Sequence, residues 1–225
     1  TDSVTTPVGT TVVGLFLDGG AMQAYARTYR NQKRWGPVAD LALNGESALG
    51  AVTASPGGTT WAVGWRQAAS GQWRPRIARA TRKSWKVERG ARLPAGQAAL
   101  LDVAVPGEQE GYAVGYLIPS GSSTYEPVLE TFGDGEWSQV ELPWANEASA
   151  ILRSVSAGPS GVWIAGTRLP TEDEEARAFI AHMLDDQWTL SFPVATEEKS
   201  DGWTIAATDE GAVAAIETVD GMVAL

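Results

Sequence analysis

The chain has 225 residues, with 17 basic and 27 acidic side chains for a net charge of −10, no cysteine and a single histidine. These counts exclude disulfides, thiolate catalysis, Cys-ligated zinc, iron–sulfur clusters and any multi-histidine metal site built by this chain alone, and the acidity argues against nucleic acid or an anionic membrane as partner. No apolar run approaches the roughly 18–20 residues of a membrane span, while 44% hydrophobic residues, ten Trp and 25 Gly suit many short strands joined by tight turns around a folded core.

In chain order the sequence repeats itself about every fifty residues. A Trp opening a β-rich stretch recurs in "RWGPV", "SWKVE", "EWSQV" and "QWTLS", which places Trp35, Trp85, Trp137 and Trp188 at spacings of 50, 52 and 51. A second marker, "TVVGL", "WAVGW", "YAVGY" and "WIAGT", starts at Thr11, Trp61, Tyr112 and Trp163, and a third centres on Val4, Val52, Val103, Val155 and Ile205. Each unit holds four strand-like runs, A to D; in the second unit these are about 49–54, 61–66, 74–81 and 84–89, separated by turn formers such as "SPGG" and "AASG". Four short strands repeated at this period predict an all-β fold, a β-propeller of four-stranded antiparallel blades.

The units span about 1–43, 48–92, 99–143, 150–193 and 201–225, within a single propeller domain over 1–225. The fifth lacks a strand D, so there are about five blades with the last incomplete. The ring closes if the N-terminal segment leaves the first blade and completes the last. Otherwise the chain is part of a six- or seven-bladed propeller, which takes roughly 300–350 residues at this period. In "WAVGW" the bulky Trp61, Val63 and Trp65 alternate with Ala62 and Gly64, giving each sheet a large and a small face that suit blade-on-blade packing. Trp61 and Tyr112 are therefore expected in the core.

These units resemble a bacterial β-propeller repeat common in secreted proteins, of approximate pattern "L..V.a.…wAvG.…p.i…dg..W..v..p"; the matching pieces are "LLDVAV", "YAVGY", "EPVLETFGDGEW" and "SQVELP". The resemblance covers nearly the whole chain and implies a propeller fold and an extracytoplasmic, secreted or cell-surface location. The first unit departs from it in lacking an aromatic at Thr11, and the fifth in reading "GAVAAIE" in place of "WAVGW".

Charge divides unevenly. Residues 1–92 carry 13 basic and 5 acidic side chains, a net of +8, and residues 93–225 carry 4 and 22, a net of −18. The densest basic run lies in the second unit and the acidic "TEDEEAR" in the fourth. This pattern suits ring closure or self-association through opposite patches, as well as ordinary solvated faces.

No catalytic signature is present: no G-x-S-x-G, no P-loop, no G-x-G-x-x-G and no sialidase S-x-D-x-G-x-x-W box. No cofactor motif is present either, and none is expected to bind. His182, in "FIAHML", aligns with Arg79 and Thr131 and reads as structural. Asp102 stands out as a strand-A acid beside the central channel, where the repeat alignment gives Ser3, Ala51, Ser154 and Thr204; it is a candidate ligand-binding or catalytic carboxylate. Glu172, Asp173, Glu174 and Glu175 offer oxygen ligands but lack the alternating spacing of a calcium loop, and Asp134 and Gly135 read as a strand C–D turn.

The longest connections, B–C and D–A, share one rim and carry Trp73, Tyr125 and Trp144 with Arg66 nearby, a set able to stack on sugars or anchor a peptide. The leading expectation is thus a non-enzymatic recognition module binding protein or glycan on that rim. The alternatives are a carboxylate-based glycosidase or lyase using channel acids, and a scaffold segment of a longer multi-domain protein. Failing the aromatic rim, the basic face of the second unit, with Arg74, Arg76 and Arg82, is the next candidate surface.

Overall fold

The fold was obtained as a computed structural model, which describes residues 1–30, 34–39, 41, 45–80, 84–145, 148–170, 175–193, 200–218 and 221–224. It is an all-β propeller architecture of antiparallel sheets laid side by side. Blade 1 is β1 (Asp2–Thr6), β2 (Gly9–Asp18), β3 (Ala21–Arg30) and β4 (Arg34–Trp35); blade 2 is β5 (Ser47–Ala54), β6 (Thr60–Gln67), β7 (Trp73–Ala80) and β8 (Trp85–Glu88). Blade 3 is β9 (Gly96–Gly107), β10 (Glu110–Pro119), β11 (Glu126–Gly133) and β12 (Glu136–Val140), and blade 4 is β13 (Ala150–Gly158), β14 (Gly161–Arg168), β15 (Arg177–Leu184) and β16 (Gln187–Ser191). Blade 5 has three described strands, β17 (Ser200–Ala207), β18 (Ala212–Thr218) and β19 (Gly221–Ala224).

The Trp period is a register period. Trp35, Trp85, Trp137 and Trp188 pair with Tyr29, Ala80, Phe132 and Met183, the same position of strand C in four successive blades. Alternation of large and small side chains then builds the core between blades. Trp61, Val63 and Ile77 of blade 2 meet Ala98, Leu100, Ala113 and Val128 of blade 3, with Phe132 and Trp137 closing the cluster. Tyr112, Val114 and Leu129 of blade 3 meet Leu152, Ile164 and Ala181 of blade 4. On the other side of blade 2, Ala62 and Ala78 pack with Val13 and Ala26 of blade 1.

The glycine of the "WAVG" marker is required by space. Strand A of blades 2 to 5 carries a bulge, at Leu49/Ala51, between Leu100 and Asp102, at Leu152/Ser154 and at Gly202/Thr204. The bulge presses strand A onto strand B: a Cβ on Gly64 would lie 2.0 Å from the Ala48 carbonyl oxygen, one on Gly115 2.0 Å from that of Ala99, and one on Gly166 2.7 Å from that of Ile151. Blade 5 solves the same contact from the other strand. Ile216 takes the glycine position and its ladder partner, Leu in the other three, becomes Gly202. The departure "GAVAAIE" is thereby compensated.

Two sequence expectations change. The N-terminal strand β1 does not complete the last blade: it stays in blade 1, forming a tight hairpin with β2 in the register Thr6↔Gly9 to Asp2↔Val13, and strand contacts link blades 1–2, 2–3, 3–4 and 4–5 in order. A neighbour two residues away in the chain is entropically the cheapest one to pair with. Second, Val4 pairs with Thr11, whereas Val52, Val103, Val155 and Ile205 pair with Ala62, Ala113, Ile164 and Ala214. Blade 1 is one residue out of the expected alignment, so Asp2, paired with Val13, is the counterpart of Asp102, paired with Val114. Blade 5 leaves Trp203 57% exposed, with Val213, Met222 and Val223 also exposed.

Candidate functional site

The inner strands come first, because a carboxylate chemistry would have to be built there. Asp102 Oδ1 accepts from its own neighbour's amide, Val103 N (2.8 Å), while Oδ2 accepts from Val155 N (2.9 Å) and Ser154 Oγ (2.7 Å) of blade 4. Asp2 repeats the pattern: Oδ1 accepts from Ser3 N (2.7 Å) and Oδ2 from Val52 N of blade 2 (2.8 Å). In blade 4 the same position is Ser154, whose Oγ accepts from Ile205 N of blade 5 at 3.3 Å. The position is a staple, in which a short side chain on one inner strand takes the amide left free at the next. Burial raises the Asp102 carboxyl above the ordinary range, against the pull of its hydrogen bonds. Both oxygens are engaged, and the equivalent places in blades 2 and 5 hold Ala51 and Thr204.

The rim of B–C and D–A connections is organised differently. Trp65 and Trp73 stack at 4.8 Å with their planes 21° apart, and Tyr116 and Tyr125 meet at 5.2 Å. Register makes these one feature repeated on adjacent blades, since Trp65 and Tyr116 follow the equivalent Gly64 and Gly115, and Trp73 and Tyr125 each lie two residues before the proline that pairs with Trp65 or Tyr116. All four rings are half-buried. Gln72 Nε2 donates to Ser120 Oγ (3.2 Å), tying the two B–C loops together. Trp144 is placed elsewhere: it is 9% exposed, packed in the core between blades 3 and 4, with its ring edge-on to Trp188 at 5.2 Å. Beside it a hollow of about 330 Å³ is lined by Glu126, Gln139, Glu141, Leu142 and Ala145.

Arg66 does not join the aromatics. Strand alternation turns Trp65, Trp73 and Pro75 to the blade 3 side, and Arg66, Arg74 and Arg76 to the blade 1 side with Ala62 and Ala78. Arg66 and Arg74 are directly opposite across the β6–β7 ladder, and Arg76 is two residues along. Burial first, then the charges of Arg66 and Arg74, brings the Arg76 guanidinium down to about 10. Arg82 and the acidic residues Glu172, Asp173 and Glu174 lie outside the described residues.

A larger cleft, about 640 Å³, opens on the opposite rim between blades 3 and 4, bordered by Pro106, Glu110, Tyr112, Pro159, Asp185 and Asp186. The Tyr112 hydroxyl donates to Glu110 Oε1 (2.7 Å), and burial with the neighbouring carboxylates raises its ionisation above that of a free phenol. Loop length does not point to this cleft, whose turns are short; Asp185 and Asp186 form the two-residue β15–β16 turn at positive φ (50° and 59°), as Asp134 and Gly135 do between β11 and β12 (52° and 85°). The His182 ring stacks on Trp163 at 3.7 Å and its Nε2 bonds the Ser160 carbonyl (2.7 Å). Among the described residues no cluster of His, Asp and Glu could hold a metal ion, and no helix is long and apolar enough to cross a membrane.

No protein-family model and no curated protein matches the chain. Solved structures do. A structure of YjhT is similar at 12% identity and a TM-score of 0.57, covering 95% of this chain and 70% of that one. A Hadza microbial sialidase, Hz136, is similar at 13% identity and a TM-score of 0.56, over 88% of this chain and 42% of that one. YCF48 bound to a D1 peptide is similar at 14% and 0.50, over 96% and 62%. At these identities the likeness establishes the propeller fold; the chain spans less than two thirds of the sialidase and of YCF48.

Proposed function

We propose that the chain is an extracytoplasmic recognition module that binds a protein or glycan partner on the rim of B–C and D–A connections, its repeats being of the secreted bacterial type they resemble. The observation that carries this reading is the aromatic pair repeated at one register on adjacent blades, Trp65/Trp73 and Tyr116/Tyr125. Half-buried rings on a strand scaffold supply contact area at low entropic cost, for a sugar face or a peptide side chain. Among the similar structures, one is described as a sialidase and another as bound to a peptide, which suits either partner class. The glycosidase alternative needs two free carboxylates across a cleft. The inner acids Asp2 and Asp102 instead hold backbone amides of the next blade, which favours binding over hydrolysis. The opposite net charges of the two halves also support association between copies, read by sedimentation at low and high salt.

The test is a glycan array and a displayed peptide library probed with the wild type and with Trp73→Ala/Tyr125→Ala. Truncating such anchors costs about 2 kcal/mol or more each, so the double variant loses the wild-type ligand. Binding that survives it removes the aromatic rim as the site.

A further inference from the structure

The three guanidiniums on the blade 1 side of β6–β7 have no counter-charge among the described residues. Among the described residues the ion pairs are Arg79–Glu88, Lys86–Glu88 and Arg153–Asp201; none involves Arg66, Arg74 or Arg76. Arg74 Nη2 donates to Gln72 Oε1 (2.9 Å) and Arg76 Nη1 to its neighbour's carbonyl, Pro75 O (3.0 Å). Arg66 Nε is buried without a hydrogen-bond partner among the described residues. Like charges directly opposite on a ladder destabilise a sheet, and a buried, unpartnered donor adds to that cost. The facing wall is apolar. Leu15 and Leu17 lie on the same strand face as Val13, which packs on blade 2, yet they are 47% and 70% exposed.

We propose that Arg66, Arg74 and Arg76 form a receptor for the carboxylates of an acidic peptide whose apolar side chains rest on Leu15 and Leu17 of blade 1. Guanidinium suits such a receptor because it stays charged, presents a planar fork of donors and binds carboxylates bidentately. Three forks on one sheet face match two or three carboxylates rather than one, and the pleat sets their spacing near that of alternate residues on an extended peptide. The apolar wall selects a peptide over a sulfated glycan, which has no side chains to bury there. The site lies on the rim assigned to recognition, but on the other face of the hairpin from Trp73, and so does not depend on the aromatic pair.

The test is fluorescence anisotropy with a labelled hexapeptide of alternating Glu and Leu, its Gln/Leu counterpart, and dextran sulfate. The wild type binds the Glu/Leu peptide, and binds the Gln/Leu peptide at least about tenfold more weakly. Arg66→Gln/Arg74→Gln weakens the Glu/Leu peptide by a similar factor without lowering the melting temperature. Leu17→Ser, at a position too exposed to matter for folding, weakens it several-fold and decides the matter should the arginine variants fail to fold. Wild type that ignores the Glu/Leu peptide, arginine or Leu17 variants that bind as well as wild type, or arginine-dependent binding of dextran sulfate alone each overturns the proposal. Because the array test turns on Trp73 and Tyr125, a peptide that fails here leaves the rim reading standing, and loss of the aromatic site leaves this one standing.

Discussion

Asp102 and Arg76 are buried or half-buried charged residues on strands of neighbouring blades, and the fold treats them in opposite ways. Asp102 gives both oxygens to the scaffold, accepting from Val103 N, Val155 N and Ser154 Oγ. Among the described residues Arg76 bonds only the carbonyl of Pro75, and it stands beside two like charges, Arg66 and Arg74. The contrast separates two uses of polarity within one repeat. At the inner strands a polar side chain completes the hydrogen bonding between blades; on the rim three guanidiniums stand without an ion-pair partner among the described residues. A charged residue near the centre of a propeller is therefore no guide to function until its partners are counted.

Six substitutions break or sharpen this contrast. The largest is at the core. Trp61, 2% exposed, also carries Arg79 over its ring at 5.1 Å, and Arg79 ion-pairs with Glu88 at 3.0 Å; it is the engaged counterpart of Arg76 on the same strand. Trp61→Ala costs about 3–5 kcal/mol, measured by chemical denaturation, and Arg79→Gln destabilises where Arg76→Gln does not.

Glu130 is an intermediate case, fully buried, with Oε2 accepting from Ala91 N at 2.8 Å and Oε1 without a partner among the described residues. Burial raises its carboxyl to about 7. A carboxyl raised in the fold is protonated there while the unfolded chain is already ionised, so its stability contribution is complete below about pH 4.5 and is lost as pH rises through 7. The loss amounts to about 3 kcal/mol at most. Glu130→Gln flattens that slope, so the variant melts above wild type at pH 8 and close to it at pH 5. A parallel pair of pH profiles overturns the assignment.

Asp102→Ala strands the Val155 amide and the Ser154 hydroxyl, at about 2 kcal/mol; hydrogen exchange locates the loosening between blades 3 and 4, and exchange unchanged there contradicts the staple. The smallest effect is at the rim: Arg74→Gln relieves repulsion and raises stability by about 0.5 kcal/mol or leaves it level, read as a melting temperature at low salt.

The blade period and the Trp register were legible in the sequence, because four tryptophans opposite one strand C position leave a spacing that turns and loops barely disturb. The large and small faces of "WAVGW" were legible for the same reason. The bulge that makes its glycine obligatory was not, since the extra residues Gly50, Leu101, Arg153 and Trp203 share no chemistry. Nor was the staple. "DSVTT" resembles "GAVTA" closely enough to align Val4 with Val52, which hides Asp2 behind Ser3; only the ladder, Asp2↔Val13 beside Asp102↔Val114, recovers it. Of the rim residues, loop length alone points to Trp73 and Tyr125, whereas their partners Trp65 and Tyr116 sit inside a strand pattern that reads as core. Trp144 lies in a loop by sequence but in the core by packing, because the D–A connection folds its indole onto Trp188. Arg66 lies on the rim as its place in the repeat implies, and strand alternation turns it to the other face.

The contrast between engaged and unengaged charge is tested most directly by thermal melting of Asp102→Ala and Arg74→Gln side by side at low ionic strength. With about 2 kcal/mol lost, Asp102→Ala melts roughly 4–8 °C below wild type, while Arg74→Gln melts at or slightly above it. An Asp102→Ala protein as stable as wild type, together with an Arg74→Gln protein that is clearly destabilised, would contradict the account, since the inner acid would then be the free group and the rim arginine the structural one.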